Sequence, residues 1–542
     1  MLKCAPHMRL NRRDISVAWG LIRRLPAFLR NPIGHAEALD LVRQRLRSRD
    51  RDLLFLLQHA IYARRENPLR RLLEHAGCEY GDVERLVQAN GVEETLEVLY
   101  RNGVYLTADE MAGRREVVRG QMRIDMSASQ LRNPWSEQNL PASSGRGSHA
   151  FGAGLLLFDL ASLRDMVPDH RLGFDADGGE DWVNALWTLP GSGGISMNLM
   201  MASAFGRPPE RWFSHVDVND GGLNPRYRSS AEGIRWIGRV FGMRFPIPEY
   251  VPLDDPLPIA RWIASVLRTG RTPYLKTYPT SAVRLCAAAM QAGIDLTGAR
   301  FCLRGEPLTP ARHDAVTQAG VRCLPLYGTT ETGVIAQACL APRVVDEVHV
   351  HDDLHAMIRL ADDDPAAGLP RGALLMSSLR PTARVILLNV SLGDVAASET
   401  GSCGCPMEQY GWRRRLHTVR SFEKLTGHGM TFADVEISPT LERTLPSRFG
   451  GGPVDYQIVE EEAEDGGARI ALVVHPRLGP LDEDAVVDAF LTAIGEASET
   501  RRTMSMVWRA ARLVRVLRTP PVATPSGKIL HFRATPVPAR QP

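Results

Sequence analysis

From about residue 131 onward, short apolar runs bounded by Gly, Pro and Asp clusters alternate with helical segments, and that alternation predicts an α/β body. Gly154–Phe158, Phe301–Leu303, Arg322–Leu326 and Arg384–Val390 read as buried strands, with residues 281–292 and 309–319 as helices. Residues 1–130 read mostly as helix. Leu53, Leu54, Leu56, Leu57, Ile61 and Tyr62 give mixed apolar spacing, continued at Leu72-Leu73 and from Val87 to Leu99. Turn signals stand at Asn67-Pro68, Gly77 and Asn90-Gly91. A last region begins near residue 420, with a β-rich stretch at 454–474, a helix near 483–497 and a basic strand at 507–518. At 542 residues the chain is too long for one core. The expected division is a helical region at 1–130, an α/β body at 131–419 and a small α+β domain at 420–542.

A net charge of +3 is small for this length and gives no case for nucleic acid as the main partner. Eight cysteines in so long a chain do not make a disulfide scaffold, so a reduced, cytoplasmic setting is expected. No apolar run reaches the ~18 residues needed to span a bilayer, so stable membrane insertion is not expected. Residues 9–30 interleave Arg9, Arg12, Arg13, Arg23, Arg24 and Arg30 with Ile15, Val17, Trp19, Leu21, Ile22 and Leu25. Arg23 and Arg24 cut this run short and no small-residue cleavage site follows, which argues against a signal peptide. A basic amphipathic helix can lie on an anionic membrane; the expectation is a helix packed on the body with its arginines in water.

Five stretches carry chemistry. Pro325 to Gly333 contains Tyr327, Gly328, Thr329, Thr330 and Glu331 in succession: a flat face for a base, a glycine for close approach, two hydroxyls for phosphate and a hard oxygen for Mg²⁺. Pro141 to His149, with Ser143, Ser144, Gly145, Arg146 and Ser148, suits a loop whose N–H groups surround phosphate oxygens while Arg146 adds a cation. Gly305-Glu306-Pro307 ends the run Phe301–Leu303, at the strand edge where open α/β sheets bind ligands. Gly393-Asp394 follows Val385–Val390 and places a carboxylate at a second strand end, suited to ribose hydroxyls. Thr524-Pro525-Ser526-Gly527-Lys528-Ile529 adds a glycine-flanked lysine.

In this order and spacing, the stretches resemble the adenylate-forming superfamily of acyl-CoA synthetases, adenylation domains and luciferases. Within it the chain looks most like the phenylacetate-CoA ligase branch, over roughly residues 135–540. The resemblance implies ATP and Mg²⁺ as cofactors. It implies that Ser143 to Ser148 form the phosphate loop, that Gly305, Glu306 and Pro307 border the adenine, and that Tyr327 stacks on the base. Thr330 would touch the α-phosphate, Glu331 would hold Mg²⁺, and Asp394 would bind the ribose. Arg420 would mark the hinge to a mobile C-terminal domain carrying the catalytic Lys528. The chain departs from the family where Arg146, Gly147, Ser148, His149 and Ala150 replace the second half of the usual Ser-Ser-Gly-Thr-Thr-Gly loop and its Lys-Pro. Phe422 and Glu423 replace adjacent acidic residues at the hinge, and Asn389-Val390-Ser391-Leu392 replaces an arginine before Gly393-Asp394.

The implied activity is AMP-forming activation of a carboxylic acid, by default aromatic or apolar, to an acyl-adenylate and then to a coenzyme A thioester. Transfer to a carrier-protein thiol, an enzyme cysteine or an amine, activation of an oxyanion such as nitrite, and a non-catalytic nucleotide-binding scaffold are the alternatives. Members of the superfamily are often homodimers. Physical chemistry supports the first half-reaction independently: a carboxylate attacking a phosphate must overcome repulsion between anions, so positioned cations are the main need.

Cys403-Gly404-Cys405 is a two-thiolate hook, and Cys339 and His349 would complete a tetrahedral set for structural Zn²⁺. His351 and His355 leave the choice of imidazole open. Asp175 to Asp181 lacks the spacing of a Ca²⁺ loop and reads as a solvated acidic turn. Gly191 to Gly194 reads as a turn, and Met197, Met200 and Met201 as core.

Overall fold

The computed structural model describes residues 24–534, apart from residues 30, 137–139, 143–155, 159, 189–192, 218–231, 233–234, 237, 240–244, 423–424, 428–429, 433, 463–467, 497–498, 511 and 525–526. Gly154 and Leu155, the loop Ser143 to His149 and residues 9–23 therefore fall outside the described residues, as does Ser526, while Leu156–Phe158 is a short strand paired with Leu140–Ala142.

A mixed α/β architecture results. The described residues include a 12-stranded sheet and a separate four-stranded sheet near the C-terminus. One half of the large sheet is parallel, in the spatial order Pro248–Tyr250, Arg211–Ser214, Trp182–Thr188, Thr272–Thr277, Arg300–Arg304 and Arg322–Thr329. From Arg322–Thr329 onward the pairing is antiparallel, through Gly333–Ala338, Val348–Val350, Arg414–Ser421, Val390–Thr400, Ala373–Ser378 and His355–Arg359. The hairpin carrying Tyr327 sits where the sheet changes direction.

Parallel strands need cover on both faces, and alternating side chains supply it. Leu275, Phe301 and Leu303 face the helices Leu257–Leu267, Pro279–Gln291 and Pro310–Thr317. Tyr274 and Cys302 face the opposite way, in the same core as Met166, Met200 and Met201 from Leu160–Ala176 and Gly193–Ala204. Leu25, Phe28 and Leu29 belong to that second core, so the described end of the N-terminal basic segment packs on the body. The helices Arg49–Leu56, Pro68–His75 and Tyr80–Arg101 cover the antiparallel half and share a core with Met357, Leu375 and Met376. Asn67-Pro68 works as a helix start: Pro68 opens the helix and the Asn67 side chain accepts from the Leu69 N–H.

Residues 384–389 depart from expectation. The run is buried but irregular, and the strand begins only at Val390. Asn389 takes a left-handed conformation at φ 50°. Backbone groups of the run are met from outside a ladder, with the Ile386 N–H on Leu131 O and Arg384 O accepting from Asn133. An apolar run reports burial and not repeat, so it does not separate these outcomes. The expected basic strand at 507–518 is likewise shorter: residues 507–510 finish the helix Glu499–Ala510, and the strand is Val514–Leu517.

The acidic turn at 175–181 is neutralised by arginines. Asp175 pairs with Arg171, and Asp177 with Arg300 and Arg322. The four-stranded sheet comprises Val514–Leu517, Ala468–Val474, Tyr456–Glu462 and Phe532–Ala534, and packs with the helices Glu483–Glu496 and Glu499–Ala510. Among the described residues no helix is long and apolar enough to cross a membrane.

Candidate functional site

The Tyr327–Glu331 stretch closes the hairpin between Arg322–Thr329 and Gly333–Ala338, with residues 330–332 as its turn. Tyr327 pairs with Ala336, and the register shifts between Tyr327 and Gly328. Glycine is required there because a β-carbon on Gly328 would overlap the Gly333 carbonyl oxygen. The Tyr327 hydroxyl donates to Asp394 Oδ2 at 2.8 Å. Burial raises its phenol well above the ordinary value, and the charges of Asp394 and Glu331 add to that; the group remains a donor. Thr329 Oγ1 accepts from the Thr332 N–H at 3.3 Å, which tightens the turn. Thr330 is half-buried, and Glu331 is buried although it sits at a hairpin tip. A buried carboxylate offers the hard oxygen that Mg²⁺ takes.

Asp394 lies inside the strand Val390–Thr400, opposite Ser421, and not at a strand end. The reason is the late start of that strand. Arg420, opposite Val395, is buried, and its Nη1 donates to Asp346 Oδ2 at 2.9 Å. Its backbone belongs to the large sheet, and its guanidinium is held by the turn before the strand Val348–Val350.

Gly305 ends the strand Arg300–Arg304 at φ +76°, a conformation that suits glycine. The neighbouring Glu306 turns toward the start of the helix Pro279–Gln291, where no N-cap side chain bonds the exposed N–H groups. Its oxygens accept from the Thr280 N–H and Oγ1, each at 3.0 Å, and so cap the helix. Pro307 O accepts from Arg312 Nη1 at 3.1 Å.

Lys528 comes to this point from the C-terminal region. Thr524 N–H donates to Lys528 O at 2.7 Å, and Ala523 is bridged to Ile529. A β-carbon on Gly305 would lie 2.9 Å from Lys528 Nζ and 3.2 Å from Tyr278 Cε1. The ammonium is 5.0 Å from the centre of the Tyr278 ring. Burial lowers its pKa, Glu306 opposes that, and Arg304 lowers it further. Gly527 packs against the buried ring of His215, which follows the strand Arg211–Ser214. Sequence reasoning missed His215, Tyr278 and Arg304. Each sits just past or at the end of a parallel strand, and that position was the available signal.

A buried polar joint holds the chain just beyond Lys528. Glu442 Oε1 forms an ion pair with Arg312 Nε at 2.7 Å, lies 2.7 Å from His531 Nε2, and Glu442 Oε2 accepts from the Thr309 hydroxyl. Ser438 Oγ lies 3.2 Å from His531 Nδ1. Thr309 also caps the helix Pro310–Thr317, so one residue both starts a body helix and joins Glu442. His531 is three residues beyond Lys528.

The second constellation is complete in one place. The ligand atoms of Cys339, His349, Cys403 and Cys405 all lie within 4.8 Å of one another. Cys405 Sγ is 3.2 Å and Cys403 Sγ 3.5 Å from His349 Nε2. His349 Nδ1 is 2.6 Å from the Trp412 carbonyl, which takes its proton and leaves Nε2 for a metal. His351 lies tilted against the Trp412 ring and His355 Nε2 meets Val334 O, so the imidazole is that of His349. The Cys405 thiol is lowered to about 3, first by Cys339 and then, after burial is opposed, by His349. Glu408 binds the Cys403 and Gly404 N–H groups and shapes the hook. Three sulfurs and one nitrogen in this arrangement fit Zn²⁺.

No family model matches the chain, and no curated protein matches it. Among solved structures it is similar to the amide bond synthetase McbA from Marinactinospora thermotolerans, at 14% identity over 94% of this chain and 98% of that one, with a TM-score of 0.41. It is also similar to the anthranilate CoA ligase AuaEII in complex with anthranoyl-AMP, at 13% identity over 72% and 66%, TM-score 0.42. ATP-bound MatB from Rhodopseudomonas palustris gives 16% over 75% and 68%, TM-score 0.40. Likeness of this grade leaves the function to the chemistry of the site.

Proposed function

We propose that this chain is an ATP-dependent, AMP-forming acyl-activating ligase, in which a carboxylate attacks ATP to give an acyl-adenylate and pyrophosphate, and coenzyme A then takes the acyl group. The observation that carries this reading is the delivery of Lys528 from a distant part of the chain to Gly305, beside the hairpin of Tyr327 and Glu331. A cation brought to the end of a parallel strand meets the main catalytic need of an anion attacking an anion. In this reading Tyr327 takes the base, Asp394 the ribose, and Thr329 and Thr330 phosphate oxygens. Glu331 would hold Mg²⁺, which when bound neutralises phosphate charge. Gly305 and Pro307 lie along the nucleotide, with Glu306 fixing the helix behind them. Ser143, Ser144, Gly145 and Arg146 would cover the outer phosphates. Residues 420–542, entered through Arg420, act as the moving unit that withdraws Lys528 before the thiol arrives. Cys339, His349, Cys403 and Cys405 would hold structural zinc behind the sheet.

The test incubates the protein with ATP, Mg²⁺ and a panel of carboxylic acids, with and without coenzyme A, and identifies products by mass. Acid-dependent pyrophosphate exchange and an acyl-CoA product are expected. Exchange without a thioester would remove coenzyme A as acceptor, and no exchange with any acid would remove the ligase reading.

A further inference from the structure

The strand Thr272–Thr277 carries a charged residue where its neighbours are apolar or aromatic. Lys276 pairs in register with Cys302 and is only 7% exposed. Its Nζ lies 5.9 Å from the centre of the Tyr274 ring on the same strand face. Among the described residues no carboxylate pairs with it, and the nearby Arg304 is a like charge. Burial lowers the ammonium to about 8.

Arg304 is two residues beyond Cys302, so strand alternation puts it on the same face. Its Nη1 donates to Asn198 Oδ1 at a long 3.4 Å, and among the described residues it too has no carboxylate partner. Its charge reaches His170, Tyr278 and Lys528 as well as Lys276. His170 adds no anion: burial lowers it to about 3, and its Nδ1 lies 3.2 Å from Met166 O. Glu306, the next carboxylate along the strand, is occupied by Thr280 and Arg312. Two cations thus line one sheet face and lead toward Lys528.

An ammonium buried without an anion is costly, and a bound anion removes that cost. We propose that Lys276 and Arg304 bind the distal anionic group of a dicarboxylic acid whose reacting carboxylate lies at Lys528. Lys276 is level with Cys302, three positions below Gly305, which is on the order of 10 Å along the strand. That separation suits the two ends of a short α,ω-dicarboxylate. The proposal rests on the ligase reading for the role of Lys528, and it replaces the aromatic or apolar acid expected from resemblance.

The test has two arms on the full chain. Calorimetric titration without ATP compares glutarate with the uncharged-ended monocarboxylate valerate; pyrophosphate exchange compares the same acids with ATP and Mg²⁺. Glutarate is expected to bind at least tenfold tighter, and Lys276→Met is expected to abolish that preference. Arg304→Gln, which keeps a polar group, is expected to reduce it and serves if Lys276→Met does not fold. Equal binding of the two acids, or a preference that survives both substitutions, overturns the site. Tight glutarate binding with no exchange by either acid would leave the anion site standing and sink the ligase reading. Exchange with valerate and none with glutarate would do the reverse.

Discussion

Gly305 and Lys528 meet across more than two hundred residues of sequence: a β-carbon on Gly305 would stand 2.9 Å from Nζ and 3.3 Å from Cε. Gly305→Ala would therefore displace the ammonium and also strain a backbone at φ +76° by roughly 1–2 kcal/mol. Pyrophosphate exchange should fall at least tenfold while ATP binding persists. Lys528→Ala should give a larger loss of the same kind, read in the same exchange assay.

The joint between Arg312 and Glu442 should set how often Lys528 is in place. Glu442→Gln leaves Arg312 buried with a weakened partner, and breaking a buried pair costs about 3–5 kcal/mol. Exchange should drop, and denaturant unfolding should show the loss. Arg312→Met with Glu442→Leu should recover stability without recovering exchange, because the apolar pair packs but no longer orients His531 and, through it, Lys528.

If Lys528 acts as its charged form, exchange should fall as pH rises through its pKa. Burial, then Arg304, place that fall at lower pH than for an ordinary lysine, with Glu306 opposing. Removing the neighbouring cation with Arg304→Gln should move the alkaline limb to higher pH. A pH–rate profile of both proteins checks the direction.

Lys276 makes a separate mark on stability. Its folded-state pKa is about 8 against an ordinary 10.5, so the unfolded chain binds more protons between those values. Stability should therefore rise with pH across that window and be lowest below it, by about 3 kcal/mol. Lys276→Met should raise the unfolding midpoint at pH 7 and flatten the dependence, measured by urea unfolding from pH 7 to 10.

For the Cys339, His349, Cys403 and Cys405 set, metal analysis should find about one zinc per chain. Cys403→Ser should lower that content well below half and lower the melting temperature. Chelation of the parent protein should reproduce the thermal shift, while Cys286→Ser, at a buried cysteine outside the set, should retain the metal.

Much of this molecule was legible locally. Runs such as Phe301–Leu303 and Arg322–Leu326 became strands, and 281–292 and 309–319 became helices, because period and punctuation act within a few residues. The run at 384–389 was not legible. Its burial is plain from composition, but its irregular path depends on partners at Leu131, Asn133 and Ser378. The cysteine pattern named a tetrahedral set and left three histidines open; only the Trp412 carbonyl on Nδ1 and the two sulfurs at Nε2 select His349.

Residue types and short-range order thus determined the α/β pattern, the nucleotide-like stretch at Tyr327–Glu331 and the thiolate hook. Tertiary structure alone decided which distant groups share a site. It set Lys528 on Gly305 and joined Tyr327 to Asp394. It also turned Glu306 away to cap a helix and aligned Lys276 with Arg304 on one sheet face. The physical reason is that local preference is set by neighbours along the chain. Side-chain partnership is set by strand register and helix packing, which are fixed only when elements far apart in sequence bury their faces together.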